Sequence, residues 1–218
     1  MILFNWKANG SKRLIEEINN LDIKNESVVI LPPFTFLQNI NTAKYQVGSQ
    51  NVSQFSNGAY TGEITAQMLK EVGVTYCLVG HSERRHYIGE SNEIIEKKIN
   101  QLLKEGITPV LCTGETSLDK ANNSCYEVLK NQLSVFKEGC IIAYEPVWAI
   151  GTGSTPSSSE INNICDWLKQ EYQNTKVLYG GSVSAKNIAE LAKTTVDGVL
   201  VGGASLKPQE VLEITKYF

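Results

Sequence analysis

Short runs of β-branched and aliphatic residues recur along this chain, and a stretch with helical periodicity follows almost every one. No other feature of the sequence limits the fold as strongly. The runs lie at Ile2–Asn5, Val28–Leu31, Tyr45–Ser49, Thr75–Val79, Thr108–Cys112, Cys140–Tyr144, Lys176–Tyr179 and Gly198–Val201. Eight such runs in 218 residues leave about 27 residues per repeat, the size of one strand plus one helix. Between them, Ile161, Ile164, Cys165 and Leu168 fall at i, i+3, i+4 and i+7, which places them on one helical face. Ile95, Ile99 and Leu102 repeat the pattern, as do Leu129, Leu133 and Phe136. Ser157 and Glu160 form a capping box directly after Pro156, and Gly73 and Gly106 stand where helices should stop. Such alternation predicts an α/β protein with a parallel sheet. Eight units suggest a closed (β/α)8 barrel in one domain over residues 1–218, short of the ~250 residues typical of that fold. An open, doubly wound sheet competes, and periodicity alone does not separate the two.

Composition removes several classes of function. Twenty Lys and Arg against 23 Asp and Glu leave a net charge of −3, so the basic excess expected of a nucleic-acid binder is missing. The longest apolar runs, such as Cys140–Tyr144, are far shorter than the ~20 residues that cross a bilayer. The first residues show no basic stretch ahead of a long apolar one. A cytoplasmic protein without membrane or nucleic-acid partners is expected. Five cysteines with no C-x-x-C pair argue against a disulfide framework or zinc cluster. Only two histidines, His81 and His86, are present, so no multi-histidine metal centre is available. Nucleotide-binding glycine motifs, the G-x-S-x-G elbow and H-E-x-x-H are absent. No metal or organic cofactor is expected, and any chemistry must run on side chains and backbone.

In a barrel of this kind the active site lies at the C-terminal ends of the strands. Two glycine pairs stand there, Gly180-Gly181 after the seventh run and Gly202-Gly203 after the eighth. Glycine lets backbone N–H groups approach a ligand closely, and the loops after strands seven and eight are the recurrent phosphate site of such barrels. Either pair alone reads equally well as a tight turn; both together, at these two ends, point to phosphate. His81 ends the fourth unit at the head of a polar segment that can open a helix, where the helix dipole disfavours an imidazolium. Glu145 ends the sixth run between Tyr144 and Pro146, with Trp148 near, apolar bulk that sharpens a carboxylate as a base. A buried acid paired with a basic residue is the plainer alternative. The loop that follows, Pro146–Gly153, has an apolar middle and two glycines, as expected of a lid that covers something when closed. Asn5 and Lys7 face the same mouth from the first strand, and Lys7 offers one mobile positive charge.

Together these segments resemble the triosephosphate isomerase family. The matching stretches are Asn5–Gly10, Gln50–Val52, Gly58–Glu63, Gly80–Arg85, Ala143–Gly153, Tyr179–Val183 and Gly198–Leu206, in order across nearly the whole chain. The resemblance implies interconversion of dihydroxyacetone phosphate and glyceraldehyde 3-phosphate, with Glu145 as base and neutral His81 as electrophile. That pairing is the family's own and is not read from this sequence. It further implies that Lys7 and Asn5 hold the substrate, that Glu83 supports them, and that donors at Gly151, Ser182, Gly202 and Gly203 grip the phosphate. A lid over residues 146–156 closes on it. It also implies a homodimer through loop 54–63, with Thr61 near the tip approaching Lys7 of the partner subunit, and Cys112 packing near Glu145. Two departures stand out: the lid commonly ends in Gly-Lys, whereas here Gly153 is followed by Ser154-Thr155-Pro156, and Thr113 replaces a commoner isoleucine. A different sugar-phosphate barrel would share the glycine pairs but not the His81 and Glu145 segments. A catalytically silent relative would lack Lys7, His81 or Glu145, and all three are present.

Overall fold

The computed structural model describes residues 1–218. Eight parallel strands close into a barrel: β1 (Ile2–Asn5), β2 (Val28–Leu31), β3 (Gln46–Ser49), β4 (Val74–Val79), β5 (Thr108–Thr113), β6 (Ile141–Tyr144), β7 (Val177–Tyr179) and β8 (Gly198–Val201). Each strand pairs with the next. The seam is closed by β1 on β8, in the register Ile2↔Val199, Leu3↔Leu200 and Phe4↔Val201. This pairing decides between the barrel and the open sheet. Gly198 sits so close to the first residue at that seam that a Cβ would run into the Met1 backbone.

Nine helices surround the barrel: α1 (Lys12–Asn19), α2 (Ala66–Glu71), α3 (Ser82–Tyr87), α4 (Asn92–Lys104), α5 (Ser117–Ala121), α6 (Cys125–Gln132), α7 (Ser158–Glu171), α8 (Ile188–Leu191) and α9 (Pro208–Ile214). After β2 the connection is a 3-10 segment, Phe34–Asn39, and not an α-helix. The helices start where the sequence supplies caps. Ser11, Thr65, Ser91, Thr116 and Ser157 each accept a backbone N–H at a helix start, a contact worth ~1 kcal/mol. The periodicity at Leu129, Leu133 and Phe136 predicts one helix through all three. Instead α6 ends at Gln132, and Leu133–Val135 tighten into a 3-10 turn. Residues at i and i+3 eclipse in that geometry, so Leu133 and Phe136 keep to one side of the chain.

Side chains of a strand alternate between its two faces, and that rule divides the core. Outward residues such as Ile2 and Phe4 belong to a layer of 42 buried residues between sheet and helices. Inward residues form a second cluster of ten, including Leu3, Cys112, Ala143, Leu178 and Leu200. Each fully buried Leu in it contributes roughly 1.5–3 kcal/mol. No helix is long and apolar enough to cross a membrane.

Candidate active site

The same alternation builds the site. Two residues beyond an inward position the chain points inward again, now above the last apolar layer. Leu3 is thus followed by Asn5, Cys112 by Gly114, Ala143 by Glu145, Leu178 by Gly180 and Leu200 by Gly202. The mouth of the barrel therefore carries one amide, one carboxylate and three glycines. Glu145 rises between two of those glycines. A Cβ on Gly180 would stand 2.7 Å from its Cγ, and a Cβ on Gly114 would collide with its carbonyl group. Larger residues at either place would displace it.

His81 meets Glu145 from β4. Its Nε2 lies 3.3 Å from Glu145 Oε1, and both residues are buried, 5% and 3% exposed. The imidazole caps α3, and its Nδ1 accepts the Glu83 N–H at 3.2 Å. Two influences oppose each other on this ring. Burial disfavours the imidazolium, but the adjoining Glu145 carboxylate favours it, and together they raise the His81 pKa above its ordinary value. The Glu83 N–H acts the other way, because Nδ1 accepts it only while unprotonated. That hydrogen bond at the start of α3 and the helix dipole both favour the neutral ring. With Nδ1 engaged as acceptor, the ring hydrogen belongs on Nε2, facing the carboxylate. The other carboxylate oxygen, Glu145 Oε2, is buried with no hydrogen-bond partner in the chain. Cys112 packs beside Glu145, and burial pushes its thiol well above the ordinary range.

Lys7 holds a left-handed backbone, φ 53°, which is rare for a side-chain-bearing residue. Its N–H donates to Asn5 Oδ1 at 2.9 Å, leaving the Asn5 NH2 for a ligand. Its ammonium is paired with Glu83. A cleft of about 580 Å³ opens beside these groups, lined by Asn5, Lys7, His81, Glu145, Gly151, Ser182, Gly202 and Gly203 among others. At Gly203 an added Cβ would meet nothing within 4 Å, so the backbone there is open to a ligand. Gly151 and Gly153 take positive φ, 69° and 77°, values that favour glycine. The Ser182 hydroxyl ties down this loop, donating to Ala149 O at 2.6 Å and accepting the Gly153 N–H at 3.2 Å. The structure thus brings together every cleft residue named from the sequence. Glu83 stands one contact away, behind Lys7. Thr61 is exposed and does not line the cleft. Gln50 and Asn51, also at a strand end, are engaged elsewhere: Gln50 donates to Leu31 O at 2.8 Å, and Asn51 accepts from Lys98 at 2.6 Å.

A family model described as triosephosphate isomerase matches residues 1–218. The chain belongs to the triosephosphate isomerase family. Curated relatives of that name agree over nearly full length. The protein of Marinobacter nauticus is 41% identical, covering 98% of this chain and 95% of its own. That of Alkaliphilus metalliredigens is 39% identical over 100% and 98%, and that of a Synechococcus species is 43% identical over 89% and 81%.

Two parts of the site were given no role from the sequence. Glu115 stands at a strand end, but its carboxylate turns toward the start of the lid. It accepts the Trp148 indole N–H at 2.7 Å and the Tyr144 hydroxyl at 3.2 Å. Lys120 lies 3.8 Å from the centre of the Trp148 ring, and also donates to Glu160 at 3.1 Å. Asn187, Lys207 and Glu210 extend the cleft past the glycine loops. No motif marks any of these, because each is defined by a contact across many residues.

Proposed function

We propose that this chain interconverts dihydroxyacetone phosphate and glyceraldehyde 3-phosphate through an enediol or enediolate, the reaction that its family membership supports. The observation that carries the reading is the meeting of Glu145 and His81 at 3.3 Å beside a cleft edged by both glycine pairs. Glu145 takes a carbon-bound proton and returns it to the neighbouring carbon. His81, with its hydrogen on Nε2, donates to the carbonyl oxygen as negative charge develops there and moves protons between the two oxygens. Such preorganised donors are worth several kcal/mol to a developing oxyanion. Lys7 supplies positive charge, Asn5 a neutral donor, and Glu83 holds Lys7 in place.

The phosphate lies against Gly151, Ser182, Gly202 and Gly203. A net charge of −3 does nothing to attract it, so local backbone dipoles and Lys7 must supply the attraction. Residues 146–156 close over it as a lid. An enediolate beside a phosphate ester expels phosphate when left exposed, so the closed site must exclude water and hold the intermediate planar. Loop 54–63, with Thr61 near its tip, makes a homodimer in this reading, and the exposed ring of Tyr60 within that loop offers apolar surface for it.

The test is a coupled assay of dihydroxyacetone phosphate formation from glyceraldehyde 3-phosphate. The parent should turn over, and Glu145→Asp, whose carboxylate retreats by ~1 Å, should fold and lose about 10² in kcat. Near-parental turnover in that variant would remove Glu145 as the base.

A further inference from the structure

We propose that Gln132 is a positioning residue for Glu145: its carboxamide clamps the Gly114 peptide on which the Glu145 backbone rests, and so sets where the carboxylate stands. The inference rests on the reading of Glu145 as the base.

Gln132 is the last residue of α6, half-buried, and its side chain reaches beneath the end of β5. Its Oε1 accepts the Gly114 N–H and the Thr113 hydroxyl, both at 2.8 Å, and its Nε2 donates to Gly114 O at 3.1 Å. One carboxamide thus satisfies both backbone groups of Gly114, as a neighbouring strand would. It is needed there because the β5–β6 register ends at Thr113↔Tyr144, and Gly114 lies just past it.

What Gly114 touches makes this matter. The Glu145 N–H donates to Thr113 O at 2.7 Å, and the Val147 N–H donates to Glu115 O at 2.9 Å. The Glu145 peptide is therefore held on both sides of Gly114. Contact between the two backbones is so close that Gly114 has no room for a Cβ. Glycine is the residue with the greatest backbone freedom, so the seat of the base is built on the least restrained residue available. The opposite wall, Gly180, is held by its own N–H on Tyr144 O at 2.8 Å. Gln132 supplies the matching restraint at Gly114. The Thr113 hydroxyl adds a third hydrogen bond to this carboxamide, the second on its oxygen.

Gln132→Met keeps the length of the side chain and removes all three bonds. Because ~1 Å of misplacement costs about 10² in rate, a drift of about half that should cost roughly tenfold in kcat. KM, and the inhibition constant of inorganic phosphate, should stay within about twofold, because none of the three bonds involves Gly151, Ser182, Gly202 or Gly203. Gln132→Glu keeps both acceptor contacts and loses the donor, so its kcat should fall between the two. Parental kcat in Gln132→Met would overturn the proposal, as would phosphate inhibition weakening as much as kcat falls, which marks general loosening. If Gln132→Met does not fold, Gln132→Glu decides: reduced kcat at unchanged phosphate inhibition supports the clamp, and parental kcat refutes it. Glu145→Gln is measured alongside. Turnover retained there sinks the base assignment itself, whereas an inactive Glu145→Gln with a fully active Gln132→Met sinks only the clamp.

Discussion

Gly180→Ala isolates the placement of the base from everything else in the site. Gly180 does not adopt a positive φ, so alanine suits its backbone, and its N–H still reaches Tyr144 O. The new methyl would stand 2.7 Å from Glu145 Cγ, 3.3 Å from Oε1 and 3.4 Å from Cδ. Ordinary carbon–carbon contact begins near ~3.5 Å, so the Glu145 side chain must retreat by about 0.8 Å. A displacement of that size should lower kcat by roughly 30- to 100-fold. The wall opposite, at Gly114, leaves no slack for the peptide, so the side chain has to absorb the shift. The His81 contact at 3.3 Å is then broken or lengthened. Inhibition by inorganic phosphate should change by no more than about threefold, because that ligand does not touch the Glu145 methylenes. The coupled assay gives kcat, and competition gives the phosphate constant. A kcat within threefold of the parent would refute this geometry. So would loss of phosphate affinity in proportion to kcat, which would mean that the methyl had disrupted the phosphate loop.

Three further outcomes follow from particular contacts. Gly203→Ala meets open space in the free protein, so stability should be unchanged while phosphate inhibition weakens by about tenfold; unaltered inhibition would place the anion elsewhere. Glu160 caps α7 at the end of the lid, and its carboxylate pKa is held below 4.5, first by the Ser157 N–H and then by the Ser157 hydroxyl and Lys120. A depressed acid stabilises the fold above its unfolded pKa, and that contribution is lost as pH falls through the folded value. The Tm deficit of Glu160→Gln should therefore be full at pH 7 and shrink below about pH 4.5; a deficit independent of pH would refute this assignment. Deleting 58–62 should give monomers of reduced activity on size-exclusion chromatography, and a fully active dimer would remove loop 54–63 from the interface.

Strand positions were legible because burial is written into residue type. Every observed strand end falls within one residue of the sequence reading. One of the one-residue differences is informative. Tyr45 has strand-like composition but lies outside β3, and its hydroxyl donates to Ile18 O at 2.7 Å, packing under α1. Closure was not legible, since apolar periodicity reports which residues are buried and not which strand lies beside which. Glu145 and His81 were legible as polar residues at strand ends. Inward parity, Ala143 to Glu145 and Leu178 to Gly180, would have explained why glycines flank the acid. Gln132 was invisible for a physical reason: a glutamine ending a helix reads as solvated surface, and its role comes from a backbone 18 residues away. The link from Glu115 to Trp148, over 33 residues, was hidden in the same way.

The central claim is that one carboxylate moves a proton at carbon. Dihydroxyacetone phosphate incubated with the protein in deuterium oxide, and followed by NMR, tests it most directly. The account predicts that one of the two C1 hydrogens is replaced by deuterium, and that Glu145→Gln abolishes the exchange while still binding inorganic phosphate. Exchange at parental rate in Glu145→Gln would contradict it.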